Sequence, residues 1–345
     1  MQEDIQPRLS ASGGSQLWQD LIRACRAADL HRPALLRNLA ALLICYGLWA
    51  GILLLAWQVT GTGALFACCA GLSLIMARFA FIGHDAGHGA AAPGKSLNNV
   101  FGSLSMTTVC GLAFQEWRDR HRAHHQYCQS EERDPDMKID VVASLTSRSH
   151  AAKSPLARRL CRYQHYYVWP LTLLFGHNQR HGSHAGVIRR PLFYRLDLLF
   201  LLLHGFLWLI LPLLLQVDPL RVILVYLLPG TLLGPHLAAI FWVNHIGMPL
   251  ADRTKNLSWV EQQVVSSRTI RNPAWLDWFF GGLNFQIEHH IYPAVPSTRL
   301  RRMQAVVRPV IEAAGLPYEN PRWTTSVRQV GSHFRAIGRT GAGTG

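Results

Sequence analysis

Three clusters of histidines are the part of this chain best suited to chemistry. They read His84-Asp-Ala-Gly-His88, His121-Arg-Ala-His124-His125 and Gln286-Ile-Glu-His289-His290. Histidine is the most common metal-binding side chain, and neutral imidazole suits Zn, Cu and Fe. Spacings of three and four residues place side chains on one face of a helix. Three such faces offer more imidazoles than one metal ion usually takes, so the pattern predicts a site for two metal ions.

Four apolar segments must position these clusters. They cover residues 35–57, 63–82, 198–216 and 220–243. Each is close to the length of about 20 residues that a helix needs to cross a bilayer. The connections at Gly61 and Asp218 are very short, so the spans form two hairpins. The sequence therefore predicts an all-α integral membrane protein with four transmembrane helices, in which a cytoplasmic helical cap holds the His-rich di-metal site.

The positive charge indicates the topology. The net charge is +14, and 30 of the 34 Lys and Arg lie in residues 1–37, 116–192 and 251–345. The positive-inside rule then predicts that both termini and all three clusters are cytoplasmic. The expected location is a bacterial inner membrane, or the endoplasmic reticulum membrane in a eukaryote. Because the Arg residues flank apolar spans, we expect no nucleic-acid partner.

The rest of the chain is divided as follows. Residues 1–33 form a cytoplasmic leader, with an interfacial amphipathic helix over 17–28. Residues 34–330 form the membrane domain, and residues 331–345 are expected to be a disordered tail. Residues 96–114 are read as a re-entrant segment or a helix on the membrane surface, because a fifth crossing would separate the first two clusters. Residues 137–192 are expected to form interfacial helices.

Further residues are candidates for the metal site. His245 ends the fourth span on the same side as the clusters and is predicted to be a ligand. Metal-bound histidines usually donate their other N–H to a carboxylate or carbonyl. A weak metal contact or a role in holding a ligand is therefore predicted for Asp85, Asp119, Asp134, Asp136, His165, Asn244 and Gln286. The acids can instead be surface residues that pair with neighbouring arginines. His204 and His236, inside the spans, are expected to be structural.

With these motifs in place, the chain resembles the membrane fatty acid desaturase family. The family pattern is H-x(3,4)-H, H-x(2,3)-H-H and [HQ]-x-x-H-H on a scaffold of four transmembrane helices. Further resemblance lies in Trp117-Arg-Asp-Arg-His-Arg-Ala-His-His125, Asp134-Pro-Asp136 and Gly281-Gly-Leu-Asn-Phe-Gln-Ile-Glu-His-His-Ile-Tyr-Pro293. It covers roughly residues 34–310. Gln286, in place of the first histidine of the third motif, resembles the acyl-lipid and front-end branch.

The resemblance implies a di-iron centre that uses O2 to form a double bond in an acyl chain carried on a lipid or a thioester. It implies no catalytic residues beyond the iron ligands, which by position are His84, His88, His121, His124, His125, His245, His289 and His290. Many front-end members carry a cytochrome b5 domain with a His-Pro-Gly-Gly motif, which this sequence lacks. We therefore expect a separate electron carrier, either a ferredoxin or cytochrome b5.

Three alternatives remain open. A di-iron hydroxylase or ketolase uses the same scaffold on a lipid or another hydrophobic substrate. A membrane metalloprotease needs a Glu beside the first histidine as its base, and Asp85 stands there. A metal transporter would place ionisable residues along a path across the membrane. The clusters instead lie at the ends of spans.

Overall fold

The structure is a computed structural model that describes residues 11–138, 142–251 and 257–340. Within these ranges the chain is helical, and its extended pairings are two isolated β-bridges. The α-helices are α1 (Ala11–Ala27), α2 (Leu35–Gln58), α3 (Thr62–Gly87), α4 (Lys95–Gly102), α5 (Phe114–Tyr127), α6 (Ser147–Ala151), α7 (Pro155–Cys161), α8 (Gln164–Leu171), α9 (Phe175–Arg189), α10 (Arg195–Gly205), α11 (Leu211–Leu214), α12 (Pro219–His245), α13 (Trp259–Val265), α14 (Ala274–Phe279), α15 (Gln286–Ile291), α16 (Leu300–Ala313) and α17 (Trp323–Ile337).

In the described part of the chain, four helical segments are long and apolar enough to cross a membrane: α2, α3, Arg195–Leu214 and α12. Between 22% and 50% of their most apolar windows is buried. Most of this leucine-rich surface is therefore exposed, as for Leu36 and Leu202. Apolar surface of this extent is stable against lipid and costly in water. The four predicted spans are confirmed as helices, but α3 runs five residues past its predicted end at 82 and so carries His84.

Proline shapes the third span, which is made of α10, a π-helical turn at Phe206–Ile210 and α11. Pro212 follows this turn and has no N–H to give to the carbonyl of residue 208. A local π-helical adjustment can satisfy the backbone group that a proline leaves free in a membrane helix. The span therefore continues through the proline as one helical segment.

The chain divides into two compact units. The first consists of Met1–His31, Arg120–Leu171 and Ala239–Gly345, and the second of Arg32–Asp119 and Thr172–Ala238. The boundaries cut α5 and α12, so each unit holds a part of these two helices. The second and third histidine clusters and His245 belong to the first unit. The first cluster belongs to the second unit.

The segment predicted to be re-entrant lies in the second unit. α4 continues into a π-helical turn at Ser103–Thr107, and the chain turns at Gly111, whose φ is +66°. Together these helical residues are too few to span a bilayer. The Cys110 thiol donates to the Met76 carbonyl in α3 at 3.3 Å. The segment thus meets the second span along its length and then turns back into α5, in agreement with the prediction.

The core of the first unit is built by α1, α13, α15 and α16. Leu21 from α1, Val264 from α13, Ile287 from α15 and Met303 from α16 are all buried in one cluster. The predicted amphipathic helix is present, and its apolar face is buried in the protein core. The hydrophobic pattern of α1 requires an apolar partner but does not specify which one.

The expected disordered tail also needs correction. α17 extends to Ile337, and Val330 and Phe334 on its inner face are fully buried. These side chains pack with Val168, Leu145 and Ile246 in a second cluster of the first unit. Burial of a large aromatic and a valine provides the contacts that hold the helix in place. Residues 341–345 lie outside the described part of the chain.

Candidate metal centre

The second histidine cluster lies on one face of α5. His121, His124 and His125 are buried, although helix α5 is otherwise rich in charged residues. The Nε2 atoms of His121 and His125 lie 3.2 Å apart. Two imidazole nitrogens at this distance point at the same small volume, as expected from residues four positions apart on a helix.

The third cluster lies on α15, a six-residue helix whose residues are all buried. A turn at Gly281 and Gly282 precedes it, with φ of +64° and +80°. A Cβ at Gly282 would lie 2.3 Å from the Ser297 carbonyl oxygen, so glycine is required for this close approach. Ile287 and Ile291 anchor the helix in the core of the first unit. The local sequence thus fixes α15 through its apolar side, which leaves His289 and His290 to face α5.

The two clusters meet within the first unit. The ring centroids of His125 and His290 lie 4.3 Å apart, and those of His125 and His289 lie 4.7 Å apart. The rings of His121 and His289 are stacked at 6.2 Å. Five imidazoles from residues more than 160 positions apart in sequence are therefore gathered in one buried volume.

One group of four side chains could hold a metal ion. The donor atoms of His124, Cys128, His245 and His290 all lie within 4.8 Å of one another. His245 comes from the end of α12, as predicted. Cys128 was missed by the sequence analysis, although its position four residues after His124 places it on the same helical face.

The three histidines of this group share a hydrogen-bonding arrangement. His124 Nδ1 donates to both carboxylate oxygens of Asp134, at 2.9 and 3.0 Å. His290 Nδ1 donates to Gln263 Oε1 at 2.8 Å. His245 Nδ1 donates to the Ser266 carbonyl at 3.2 Å. Each Nδ1 faces an acceptor, which in a neutral imidazole leaves the lone pair on Nε2, the arrangement usual for metal-binding histidines.

The pKa values of His124 and His290 are shifted in opposite directions. Burial opposes protonation of His124, but Asp134 and Asp136 outweigh it and raise the pKa of His124 to about 9. For His290, burial and the neighbouring imidazoles of His125 and His245 hold the pKa well below its usual value. The Nε2 atom of His290 is buried without a hydrogen-bond partner. A neutral imidazole with an unsatisfied nitrogen is the form that binds a metal ion, so His290 is in that form, whereas His124 must give up its Nε2 proton to bind one.

Backbone hydrogen bonds hold the Asp134 carboxylate in place. It caps the short helical turn Pro135–Met137 and accepts N–H groups from Gln129 and Asp136, each at 2.9 Å. Burial would raise the pKa of Asp134, but His124 and these N–H groups lower it overall. The carboxylate therefore stays ionised behind His124. Asp136 lies farther from His124 Nδ1, at 3.6 Å, and its side chain is half exposed.

Gln286 is placed differently from a ligand. Asn244 Nδ2 donates to Gln286 Oε1 at 3.2 Å, and Gln286 Nε2 lies 3.0 Å from His245 Nε2. The amide oxygen, the atom that could bind a metal, is thus turned toward Asn244. The amide N–H group faces the nitrogen that His245 offers to the site.

The first cluster lies in the second unit. The rings of His84 and His88 are 4.9 Å apart at the end of α3, and Trp117 lies 5.8 Å from His84. Asp85 Oδ1 is 4.0 Å from His84 Nδ1. A Cβ at Gly87 would lie 3.0 Å from the Trp117 ring, so this glycine permits the close packing of α3 on α5.

Other predicted residues have contacts of their own. Asp119 pairs with Arg118 and accepts from Tyr194, in agreement with the alternative that it is a surface acid. His165 packs on Tyr166, and its charged neighbours are Arg335 and Arg339. Within the second unit, His204 bonds the Thr108 carbonyl and His236 packs on Phe81.

Comparisons with known proteins show which sequences are similar to this chain. The family model for fatty acid desaturase matches residues 62–321. The Delta(8)-fatty-acid desaturase 2 of Arabidopsis thaliana is 31% identical over 73% of this chain and 59% of its own length. The Delta(8)-fatty-acid desaturase 1 of the same plant is 30% identical over 86% of this chain and 70% of its own length. The acyl-lipid (9-3)-desaturase of Borago officinalis is 29% identical over 74% of this chain and 59% of its own length. The chain thus spans between about three fifths and 70% of these relatives.

Proposed function

The chain belongs to the fatty acid desaturase family, and we propose that it is a membrane enzyme that uses O2 to introduce a double bond into an acyl chain. The observation that carries the proposal is the arrangement of His124, His245 and His290. Each of these histidines has its Nδ1 atom beside a hydrogen-bond acceptor, and each contributes a ring nitrogen to one buried group of possible ligands. Packing alone would not require a hydrogen-bond acceptor beside the Nδ1 atom of each of three neighbouring histidines.

The proposed cofactor is a pair of iron ions. The proposed ligands are the eight histidines of the family pattern, His84, His88, His121, His124, His125, His245, His289 and His290. For His84 and His88 the assignment rests on the family pattern. A redox-inert zinc ion would need only three or four ligands, so this number of imidazoles favours two redox-active ions.

The residues around the histidines have distinct tasks. Bound iron supplies the oxidising chemistry with O2, which an unactivated methylene requires because it offers no handle for acid or base catalysis. Asp134, Gln263 and the Ser266 carbonyl keep the Nδ1 protons in place and fix the orientation of the rings. Gln286 presents an N–H donor beside His245, and Asn244 holds that amide in its orientation. Burial of His289 and His290 keeps bulk water away from the site.

We propose an acyl chain carried on a lipid as the substrate. Support comes from the exposed apolar spans, from the QxxHH motif and from relatives whose names include an acyl-lipid desaturase. Gas chromatography with mass spectrometry of lipids from a host that expresses the chain tests the proposal. We expect a new unsaturated acyl chain that is absent with the His290→Ala variant. Hydroxylated acyl chains in place of unsaturated ones would identify an oxygenase instead.

Electrons are proposed to come from an acidic carrier, a ferredoxin or cytochrome b5. α16 packs in the same core as α15 and exposes Arg301, Arg302 and Arg308. Arg301 is engaged by Asp277 and the Asn272 carbonyl, and Arg308 by Glu312. Arg302 is therefore the member of this surface best placed to meet a partner. Encounters of this kind are small and electrostatically steered.

The proposed topology places both termini and the histidines in the cytoplasm. Its support is the positive charge concentrated outside the tips of the two hairpins. Reporter fusions at the two ends of the chain should both give a cytoplasmic signal. An exported carboxyl-terminal reporter would contradict an even number of spans between cytoplasmic ends.

A further inference from the structure

The outer side of α7 and of the turn that follows it carries an exposed apolar stripe. This α7 stripe consists of Leu156, Leu160 and Tyr163, which are spaced four and three residues apart and so share one face. Their exposed fractions are 69%, 58% and 62%. The apolar stripes of α1 and α17 in the same unit are instead buried in protein. An apolar stripe that stays exposed in the folded chain calls for a neighbour from outside it.

The inner side of the same segment is fixed in the core of the first unit. Gln164 is fully buried. Its amide group donates to the Phe334 carbonyl at 2.8 Å and accepts the Ser144 N–H at 2.8 Å. A Cβ at Gly338 would lie 2.1 Å from the Cys161 carbonyl oxygen, so the end of α17 closely approaches the segment. The segment therefore presents the α7 stripe in a fixed orientation.

Positive charge surrounds the α7 stripe without acids to balance it. Residues 141–196 contain nine Lys and Arg and no Asp or Glu. The exposed arginines of this region are Arg158, Arg159 and Arg162 beside the stripe, and Arg335 and Arg339 near His165. The first three of these arginines take part in no ion pair within the described part of the chain. A surface of this charge attracts an anionic partner.

Two features favour a lipid bilayer over a protein as that partner. Leucine and tyrosine beside arginine are typical of helices that lie in the membrane interface, where the arginine stem contacts acyl chains and the charge reaches the head groups. Tyrosine itself is enriched at the level of the head groups. The four candidate spans also keep the chain at a bilayer, so that docking requires only weak contacts.

We propose that α7 and the turn after it dock on the surface of a bilayer that contains anionic phospholipid. The α7 stripe enters the region between head groups and acyl chains, and the arginines beside it contact lipid phosphates. Arginine is suited to this contact because its planar fork matches a phosphate group. The proposal concerns residues outside the proposed metal ligands and does not depend on the oxidation chemistry.

The test is photo-crosslinking of the full chain in lipid nanodiscs. Tyr163 is replaced by the photoreactive p-benzoylphenylalanine, and covalent lipid adducts are measured by mass spectrometry after irradiation. One set of nanodiscs contains phosphatidylcholine alone, and the other contains increasing fractions of phosphatidylglycerol with the same acyl chains. The double variant Arg158→Glu/Arg159→Glu removes the proposed contacts. Arg23→Glu/Arg26→Glu is the control, because these exposed arginines lie on α1, which packs in the other core cluster of the unit.

We expect the yield of lipid adduct to rise with the fraction of phosphatidylglycerol, both in the chain with all its arginines and in the control. Each arginine near an anionic membrane changes the docking equilibrium by about fivefold. Reversal of two arginines should therefore lower the adduct yield at least about twentyfold at small fractions of phosphatidylglycerol, where docking is not saturated.

Salt provides a second measurement, which decides if the charge-reversed chain fails to fold. Raising the salt to physiological strength should lower the adduct yield, because screening shortens the reach of charge to about 8 Å. Equal yields in the two sets of nanodiscs, or equal yields from the two double variants, would overturn the proposal. Adducts with an added ferredoxin in place of lipid would also overturn it, because they would assign this surface to an acidic protein.

Discussion

Substitution of Asp134 by Asn would test the idea that hydrogen bonds behind the histidines position them for metal. Asp134 makes four contacts: two to His124 Nδ1 and one each to the N–H groups of Gln129 and Asp136. An Asn replaces one oxygen by a donor and removes the charge. A hydrogen bond to a charged group contributes about 1.5–3 kcal/mol. That range corresponds to about a ten- to a hundredfold loss in metal affinity, which matches the usual effect of removing such a partner.

The matched control is Asp136→Asn, because Asp136 is the next carboxylate, has a half-exposed side chain and lies 3.6 Å from His124 Nδ1. The assay is iron per chain, measured by elemental analysis after exposure to graded concentrations of a chelator. We expect Asp134→Asn to lose iron at a chelator concentration about ten to a hundred times lower than wild type. Asp136→Asn should remain close to wild type. The reasoning is refuted if the two variants retain iron equally and both remain folded by circular dichroism.

Three further predictions concern the same unit. Gln263→Leu removes the acceptor of His290 Nδ1 and should weaken iron retention in the chelator assay, whereas Gln263→Glu keeps an acceptor and should not. Gln286→His should keep measurable turnover, whereas His289→Ala should abolish it while the protein still inserts in the membrane; product analysis and membrane fractionation check both. Arg302→Glu should raise the KM for the electron donor and leave the KM for lipid unchanged, and turnover should fall as salt rises to physiological strength, where the screening length is about 8 Å. If the KM for the electron donor changes neither with salt nor in Arg302→Glu, anchoring to lipid would remain as the role of this positive charge.

The sequence was sufficient for the parts of the site that depend on local spacing. Histidines three and four residues apart on α5 share a face by helix geometry alone, and apolar segments of about 20 residues specify spans by length alone. His245 was identified because it ends α12 on the side of the clusters. Each of these inferences needs only the residues within one helix or one span.

The groups that orient the histidines could not be identified in this way. Gln263 and Ser266 lie on and just after α13, more than 20 residues from His290, and nothing in their local sequence sets them apart from other polar residues. They reach the site because α13 and α15 pack in one core. Asp134 was a candidate because it follows the second cluster closely and forms a turn. Residues that reach the site through packing between distant segments show no recognisable pattern in their local sequence.

The ends of the chain illustrate a second limit. α1 and α17 both carry an apolar stripe, which was read as lipid-facing in one case and overlooked in the other. In both helices the stripe is buried in protein, by Leu21 in α1 and by Val330 and Phe334 in α17. A stripe of this kind specifies that a helix needs an apolar neighbour. It does not distinguish a bilayer from the core of the same chain.

The position of Gln286 explains how the third motif can lack its first histidine. Asn244 directly precedes His245, and it holds the carbonyl oxygen of Gln286, so the amide cannot turn that oxygen to a metal without losing this bond. The N–H end meets His245 Nε2 at 3.0 Å instead. The end of α12 therefore supplies both the imidazole, His245, and the residue that keeps Gln286 from acting as a ligand. We infer that metal binding by His245 Nε2 requires the Gln286 N–H to move off this nitrogen, because one lone pair cannot accept a hydrogen bond and bind a metal at once.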